Sequence, residues 1–390
     1  MDHKFVPLSV PNLKGRELEL VTQAIESEWV STGGPFVEEF EKKIAKYVGC
    51  ESAVSCQNGT AGLHIALMVS GVTKDDEVIV PTLTFIAAVN PVKYIGAEPI
   101  FMDCDDSLTI DVIKLKEFCE VECSFRDGKL INNSTSKHIK ALIVVHVFGN
   151  MANMECIIDV SKKYNLKVIE DATEALGTHY INGRYNRRHA GTIGDVGVYS
   201  FNGNKIMTTG GGGMIVSNDY NLLKRAKHLT TQAKSDELYF IHDEIGYNYR
   251  MTNIQAALGI AQLEQLETFI KVKKNNYEHY KSKIKLIQGL RVLEFSEFTR
   301  PNYWFYALYI DPKYALNRDE LIKYMASMKI QLRPIWGLIS DQKPYEGSQT
   351  YRVDKSKLYL ENVVNIPCSS NLSYEDVEYV IDCLKQPKLV

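Results

Sequence analysis

A chain of 390 residues, 45% hydrophobic and 24% charged with a net charge of -3, is long enough for two or three packed units and has the composition of an ordinary globular protein. That balance excludes a strongly basic binder of nucleic acid or anionic membrane, and no apolar run approaches the roughly 20 residues of a membrane span. The opening "MDHKFVPLSVPNL" has no apolar stretch followed by a small-residue cleavage site. The eight cysteines lack zinc-site spacing, so reduced thiols in a cytoplasmic protein are expected.

From Gly49 to about residue 220, short β-branched runs alternate with helix-like segments. The runs are "DEVIVP" (76–81), "AEPIFMD" (97–103), "IKALIVVHVFG" (139–149), "LKVIEDA" (166–172), "VGVYSFN" (196–202) and "GGMIVSN" (212–218). Helical spacing appears at Leu63, Ala66 and Leu67, and again at Ile157, Ile158 and Ser161. This alternation predicts a mainly parallel sheet with helices on both faces, and ligands in such folds sit beyond the carboxyl ends of the strands. The polar stretch 123–138 reads as a surface excursion. Residues 252–285 predict a long helix carrying Ile254, Leu258, Ala261, Leu263 and Leu266. After it, "RVLEFSE", "YWFYALYI" and "KIQLRPIW" read as strands of a smaller α+β unit that ends in a helix near 374–385.

Four features fall at strand ends. In "CQNGTAGLHIAL", Gly59, Thr60 and Ala61 open a helix whose free N–H groups suit a phosphate, or Thr60 is simply its cap. Phe85 in "PTLTFIAAVN" can stack on a flat ring or belong to the core. Asp171 in "IEDATEA" is a strand-end carboxylate that needs a partner if buried, or a helix cap. Lys205 in "SFNGNKIMTTGGGGM" precedes its glycines, which rules out a phosphate loop of the G-x-x-x-x-G-K type; it is a solvated lysine or one that bonds to a carbonyl cofactor.

The order of the four decides among these readings: phosphate cup, ring stacker, pyridinium partner and Schiff-base lysine make a pyridoxal 5'-phosphate (PLP) site. With "WVSTGGPFVEEFE" (29–41), "NGTAGLHIAL", "VIVPTLTFIA" and "GYNYRMTNIQAALG" (246–259), the chain resembles the DegT/DnrJ-type sugar aminotransferases of fold type I over nearly its whole length. The resemblance implies an α/β fold with a mainly parallel seven-stranded sheet in a large PLP-binding domain, residues 1–250. A smaller C-terminal α+β domain, 251–390, begins with a long connecting helix, and the N-terminal segment packs on it.

Residue by residue, the resemblance makes Lys205 the lysine that bonds to the cofactor and then moves protons, and Asp171 the partner that keeps the pyridine nitrogen protonated. Gly59, Thr60, Ala61 and Ser200 become phosphate-side contacts, Phe85 the ring stacker, and Asn202 a further cofactor contact. Asn248 matches a residue that reaches the phosphate of a neighbouring subunit, which implies a homodimer with shared sites. Ser31, Thr32, Gly33, Arg250, Arg333 and Trp336 are candidate substrate contacts. Two departures stand out. Glu174 lies where many relatives have Gln or His near the cofactor's 3-oxygen, so it must be protonated or compensated; Gly211 lies where many carry Glu. The glycine block itself reads as close-packed backbone beside the cofactor and the dimer interface, where side chains would not fit.

Both departures resemble the subgroup that makes bacillosamine- and legionaminic-type sugars. The expected reaction is therefore transfer of an amino group from L-glutamate to C4 of a UDP-linked 4-keto-6-deoxy-N-acetylhexosamine. Relatives that act as sugar 3-dehydratases have histidine at the Schiff-base position, so Lys205 favours amino transfer. A 3-keto sugar nucleotide as acceptor, or a non-catalytic PLP-binding regulator, are the alternatives. No metal is expected.

Overall fold

The computed structural model describes residues 4–387; the first and last three residues of the two expected domain spans lie outside it. Seven strands form the central sheet: β1 (Ser52–Cys56), β2 (Asp76–Pro81), β3 (Glu98–Met102), β4 (His138–Val145), β5 (Lys167–Asp171), β6 (Val196–Ser200) and β7 (Gly213–Ser217). They lie in the order β1-β7-β6-β5-β4-β2-β3. The pairs β3/β2, β2/β4, β4/β5 and β5/β6 are parallel, while β7 runs antiparallel to both β6 and β1. Every residue of β2 and β6 is buried, as expected of strands covered on both faces.

The antiparallel insertion of β7 shapes the site. It sets Gly213 beside Ser200 on one side and Cys56 on the other, so the glycine block enters the sheet at the end where β6 finishes. Gly212 and Gly213 are where backbone crowding demands glycine: a Cβ would fall 2.4 Å from Thr209 Oγ1 and 2.7 Å from the Asn58 carbonyl, respectively. Within the single chain Gly210 and Gly211 are not crowded. A Cβ on Gly210 would meet nothing within 4 Å and one on Gly211 only Gln255 Nε2 at 3.6 Å; Gly210 is explained by its φ of 76° instead.

Residues 123–138 are not a plain surface excursion. Cys123–Arg126 and Lys129–Asn132 form an antiparallel hairpin whose second strand pairs with the start of β4. With this hairpin and Thr350–Tyr351, which pairs in parallel with β3, the large sheet reaches ten strands.

The helix Asn253–Ile284 runs 32 residues, about 48 Å, from a capping box of Thr252 and Gln255. Beyond it, Leu290–Val292, Tyr306–Ile310, Val363–Ile366 and Arg333–Pro334 make a four-stranded antiparallel sheet in that order. The N-terminal segment joins this part of the chain: Val6 bridges Ile330, and the Cys368 N–H donates to the Leu8 carbonyl at 2.8 Å. One short strand, Thr299–Arg300, pairs with His179–Tyr180 just after β5 and brings the following loop, 302–305, to the end of the central sheet.

Candidate active site

A cavity of about 350 Å3 opens beyond the carboxyl ends of β5 and β6. It gathers Gly59, Thr60, Phe85, Asp171, Glu174, Ser200, Asn202, Lys205, Gly211 and Trp336 from the residues singled out in the sequence, and adds Trp304 and Phe305 from the C-terminal part of the chain.

One wall is the start of the helix Gly59–Val69. Its N-cap is Asn58, not Thr60: the Asn58 side chain accepts the Ala61 N–H at 2.8 Å, which commits the Ala61 amide to the cap and keeps Ala61 out of the cavity lining. A Cβ on Gly59 would lie 2.9 Å from Thr173 Cγ2 and 3.0 Å from Ser200 Cβ, so glycine is required for the helix to approach β6 this closely. The result is a cradle of backbone donors and hydroxyls at the positive end of an 11-residue helix, suited to a phosphate.

Asp171 ends β5 with only 3% of its surface exposed, and its Oδ1 accepts the Thr173 N–H at 3.1 Å. Burial pushes its carboxyl above the ordinary value, against the opposing pull of Lys205 and His146. A buried carboxylate so thinly solvated calls for a cationic partner inside the cavity. Phe85 stands at the mouth, 54% exposed.

Lys205 reaches back into the pocket with 13% of its side chain exposed. Its Nζ lies 3.7 Å from Glu174 Oε1 and 4.4 Å from the centre of the Trp304 ring. Glu174 is only partly compensated: Oε2 accepts the Phe148 N–H at 2.8 Å, while Oε1 faces Lys205 Nζ from beyond hydrogen-bond distance. Burial nevertheless raises its carboxyl to about 7. Phe148 itself sits in a left-handed conformation, φ 58°, and packs against Trp336 at 4.8 Å between ring centres.

Besides Ala61, six candidates lie outside this cavity lining. Ser31, Gly33, Asn248 and Arg333 are exposed, while Thr32 and Arg250 are half-buried. The loop bearing Ser31 is tied to the long helix by Asn253, whose N–H donates to the Ser31 carbonyl at 2.6 Å and whose Nδ2 donates to the Trp29 carbonyl at 2.7 Å. Arg250 Nε is buried without a partner. Sequence reasoning missed Asn58, Phe148, Trp304 and Phe305; a strand-like aromatic run, "YWFY", was the one signal for the last two.

The residues present fit PLP: an enclosed amine, a carboxylate raised by burial, and a glycine-built phosphate cradle converge on one cavity. Residues 11–385 match the DegT/DnrJ/EryC1/StrS aminotransferase family, and the chain belongs to it. It is accordingly a PLP-dependent aminotransferase. Over 383 residues, 98% of both chains, it is 36% identical to the GDP-perosamine synthase of Escherichia coli O157:H7. It is 28% identical, over 97% of its length and 96% of the relative's, to the UDP-4-amino-4,6-dideoxy-N-acetyl-beta-L-altrosamine transaminase of Campylobacter jejuni subsp. jejuni serotype O:23/36 (strain 81-176). A crystal structure of a DegT DnrJ EryC1 StrS aminotransferase from Brucella abortus matches with a TM-score of 0.86 at 26% identity, covering 95% of this chain and 94% of that one. No helix among the described residues is long and apolar enough to cross a membrane.

Proposed function

We propose that the protein transfers an amino group from L-glutamate to the C4 ketone of a nucleotide-linked 4-keto-6-deoxyhexose, in a large domain of residues 1–250 and a small one of 251–390. The observation that carries this reading is the placement of the Lys205 amine in one cavity with the buried carboxylates of Asp171 and Glu174. PLP, when bound, supplies an aldehyde that takes up the amino group and a ring that draws electrons from the carbon losing its proton. Asp171 holds a proton on the ring nitrogen. Thr60, Ser200 and Asn202, with the helix start at Gly59, bind the phosphate, and Phe85 covers the ring. Lys205 would hold the cofactor's aldehyde carbon in the resting site and, once freed by the incoming glutamate, its amine would take the proton from the glutamate α-carbon and deliver it to that aldehyde carbon, two bonds away across the nitrogen. The same lysine moves the protons in reverse when the sugar ketone arrives.

The protein works in the cytoplasm as a homodimer with shared sites. Two features support the dimer: Asn248 is exposed in the single chain, and the nearby hairpin and the segment after it present Leu238, Tyr239, Phe240 and Ile245, each at least 70% exposed. Ser31, Thr32, Gly33, Arg250 and Arg333 then border the sugar nucleotide from loops and the dimer seam, while Trp336 does so from the cavity wall.

The resemblance to bacillosamine- and legionaminic-type enzymes supports a UDP-linked acetamido sugar as acceptor. The relative of 36% identity, named for a GDP sugar, supports a GDP-linked hexose instead. Incubation with L-glutamate and, separately, UDP-4-keto-6-deoxy-N-acetylglucosamine, GDP-4-keto-6-deoxymannose and a 3-keto sugar nucleotide decides between them, with 2-oxoglutarate and the amino sugar followed by mass spectrometry. The expected result is turnover of one of the 4-keto compounds. Turnover of the 3-keto compound alone contradicts the proposal, as does 2-oxoglutarate formation with none of the three.

A further inference from the structure

We infer that Trp304 is a positioning residue that acts through Lys205: the face of its indole holds the lysine's cationic end against Glu174 whenever that amine is not bonded to another group. The inference rests on the reading of Lys205 as the amine that moves protons.

Residues 302–304 form a clamp between the C-terminal part of the chain and the strand ends. Asn302 is fully buried; its Nδ2 donates to the carbonyls of Glu174 at 2.8 Å and Leu176 at 3.0 Å, and its Oδ1 accepts the Trp304 N–H at 3.0 Å. Gly149 makes room for it, since a Cβ there would fall 1.9 Å from Asn302 Oδ1. Tyr303 between them takes a left-handed φ of 56°, a conformation that costs energy in a bulky residue and persists only where its surroundings enforce it.

The turn delivers Trp304, 2% exposed, against the lysine loop. Its Nε1–H donates to the carbonyl of Asn204, the residue before Lys205, at 2.7 Å, and its ring stacks on Phe305 at 4.0 Å. The indole therefore grips the backbone beside Lys205 with its edge and faces Nζ with its π-surface, 4.4 Å away. A π-face attracts an ammonium and not a neutral amine, and does so most strongly where water is excluded. Asn302 fixes Glu174 and Trp304 at once, so the lysine's two partners keep a set separation. The charged groups facing Lys205 are Glu174 and Asp171, and Lys273 shares a small cavity with it on the side of the long helix.

The test is trace labelling of the full chain, freed of PLP, with acetic anhydride across a pH series, reading the Lys205 peptide by mass spectrometry. In Trp304→Leu the curve of labelling rate against pH is expected to move to lower pH by roughly half a unit, and in Trp304→Phe, which keeps a π-face but loses the Nε1–H, to stay near wild type. Trp304→Met, similar in bulk without a ring, replaces the leucine variant if that one fails to fold. A curve for the ringless variant that superimposes on wild type overturns the inference. So does a change in plateau rate with no movement along the pH axis, which is what simple loosening produces, or a phenylalanine variant displaced as far as the leucine one. The labelling needs neither cofactor nor substrate, so a failed amination assay would leave this result readable.

Discussion

Two carboxylates four residues apart at the end of β5 live in opposite surroundings. Glu170, fully buried, accepts from His146 Nε2 at 2.9 Å and from the backbone N–H groups of Gly191 at 2.8 Å, Ile193 at 2.6 Å and Gly194. His146 Nδ1 in turn accepts the Ala152 N–H, which leaves its proton on Nε2 for Glu170. Burial alone would raise Glu170, but these donors more than offset it and its carboxyl lies below the ordinary value. Glu174, equally buried, has one backbone donor and a lysine at 3.7 Å, and it is raised to about 7. The fold saturates the carboxylate that holds it together and leaves under-bonded the one that faces the cavity. Strained or under-paired groups of this kind gather where a ligand completes them.

The comparison breaks hardest at Glu170. Glu170→Ala leaves His146 and three backbone amides, those of buried Gly191 and half-buried Ile193 and Gly194, without their acceptor and is expected to destabilise the protein by about 3–5 kcal/mol, measured by urea denaturation at pH 7. A loss below about 1 kcal/mol would mean the saturated site is not structural. Because its folded value is depressed, the stability Glu170 contributes is present above its unfolded pKa and disappears as pH falls through the folded one.

Glu174 has the opposite sign and a smaller effect. Its folded value is raised, so the cost of ionising it is present in full above about pH 7 and is removed as pH falls towards the unfolded value of 4.5. Glu174→Gln, whose amide oxygen can still accept the Phe148 N–H, is expected to stabilise the PLP-free protein at pH 8 by about 1–3 kcal/mol and by nothing measurable at pH 5. A gain independent of pH would remove the contrast with Glu170.

The central sheet was legible because its strands are short, continuous apolar runs: β2, β3, β5, β6 and β7 fall within the runs read from sequence, and β4 begins one residue before its run. Strand β1, "SAVSC", and Val363–Ile366 escaped, one for its small residues and the other for its brevity. The hairpin at 123–132 was hidden by polar residues that face solvent on a sheet edge. Site residues carried by local motifs, such as Lys205 and Asp171, could be picked out singly. Asn58 was overlooked because Thr60 is also a good cap residue, and only the backbone reveals which of the two stands outside the first turn. Trp304 meets the lysine loop across 100 residues of sequence, a contact that no local pattern encodes.

The claim that Lys205 is the amine served by this cavity is tested most directly by reconstituting the protein with PLP, reducing it with borohydride and mapping the modified peptide by mass spectrometry. The account predicts a phosphopyridoxyl group on Lys205 alone, absent from Lys205→Ala. A modified Lys273, or no modified lysine at all, would contradict it.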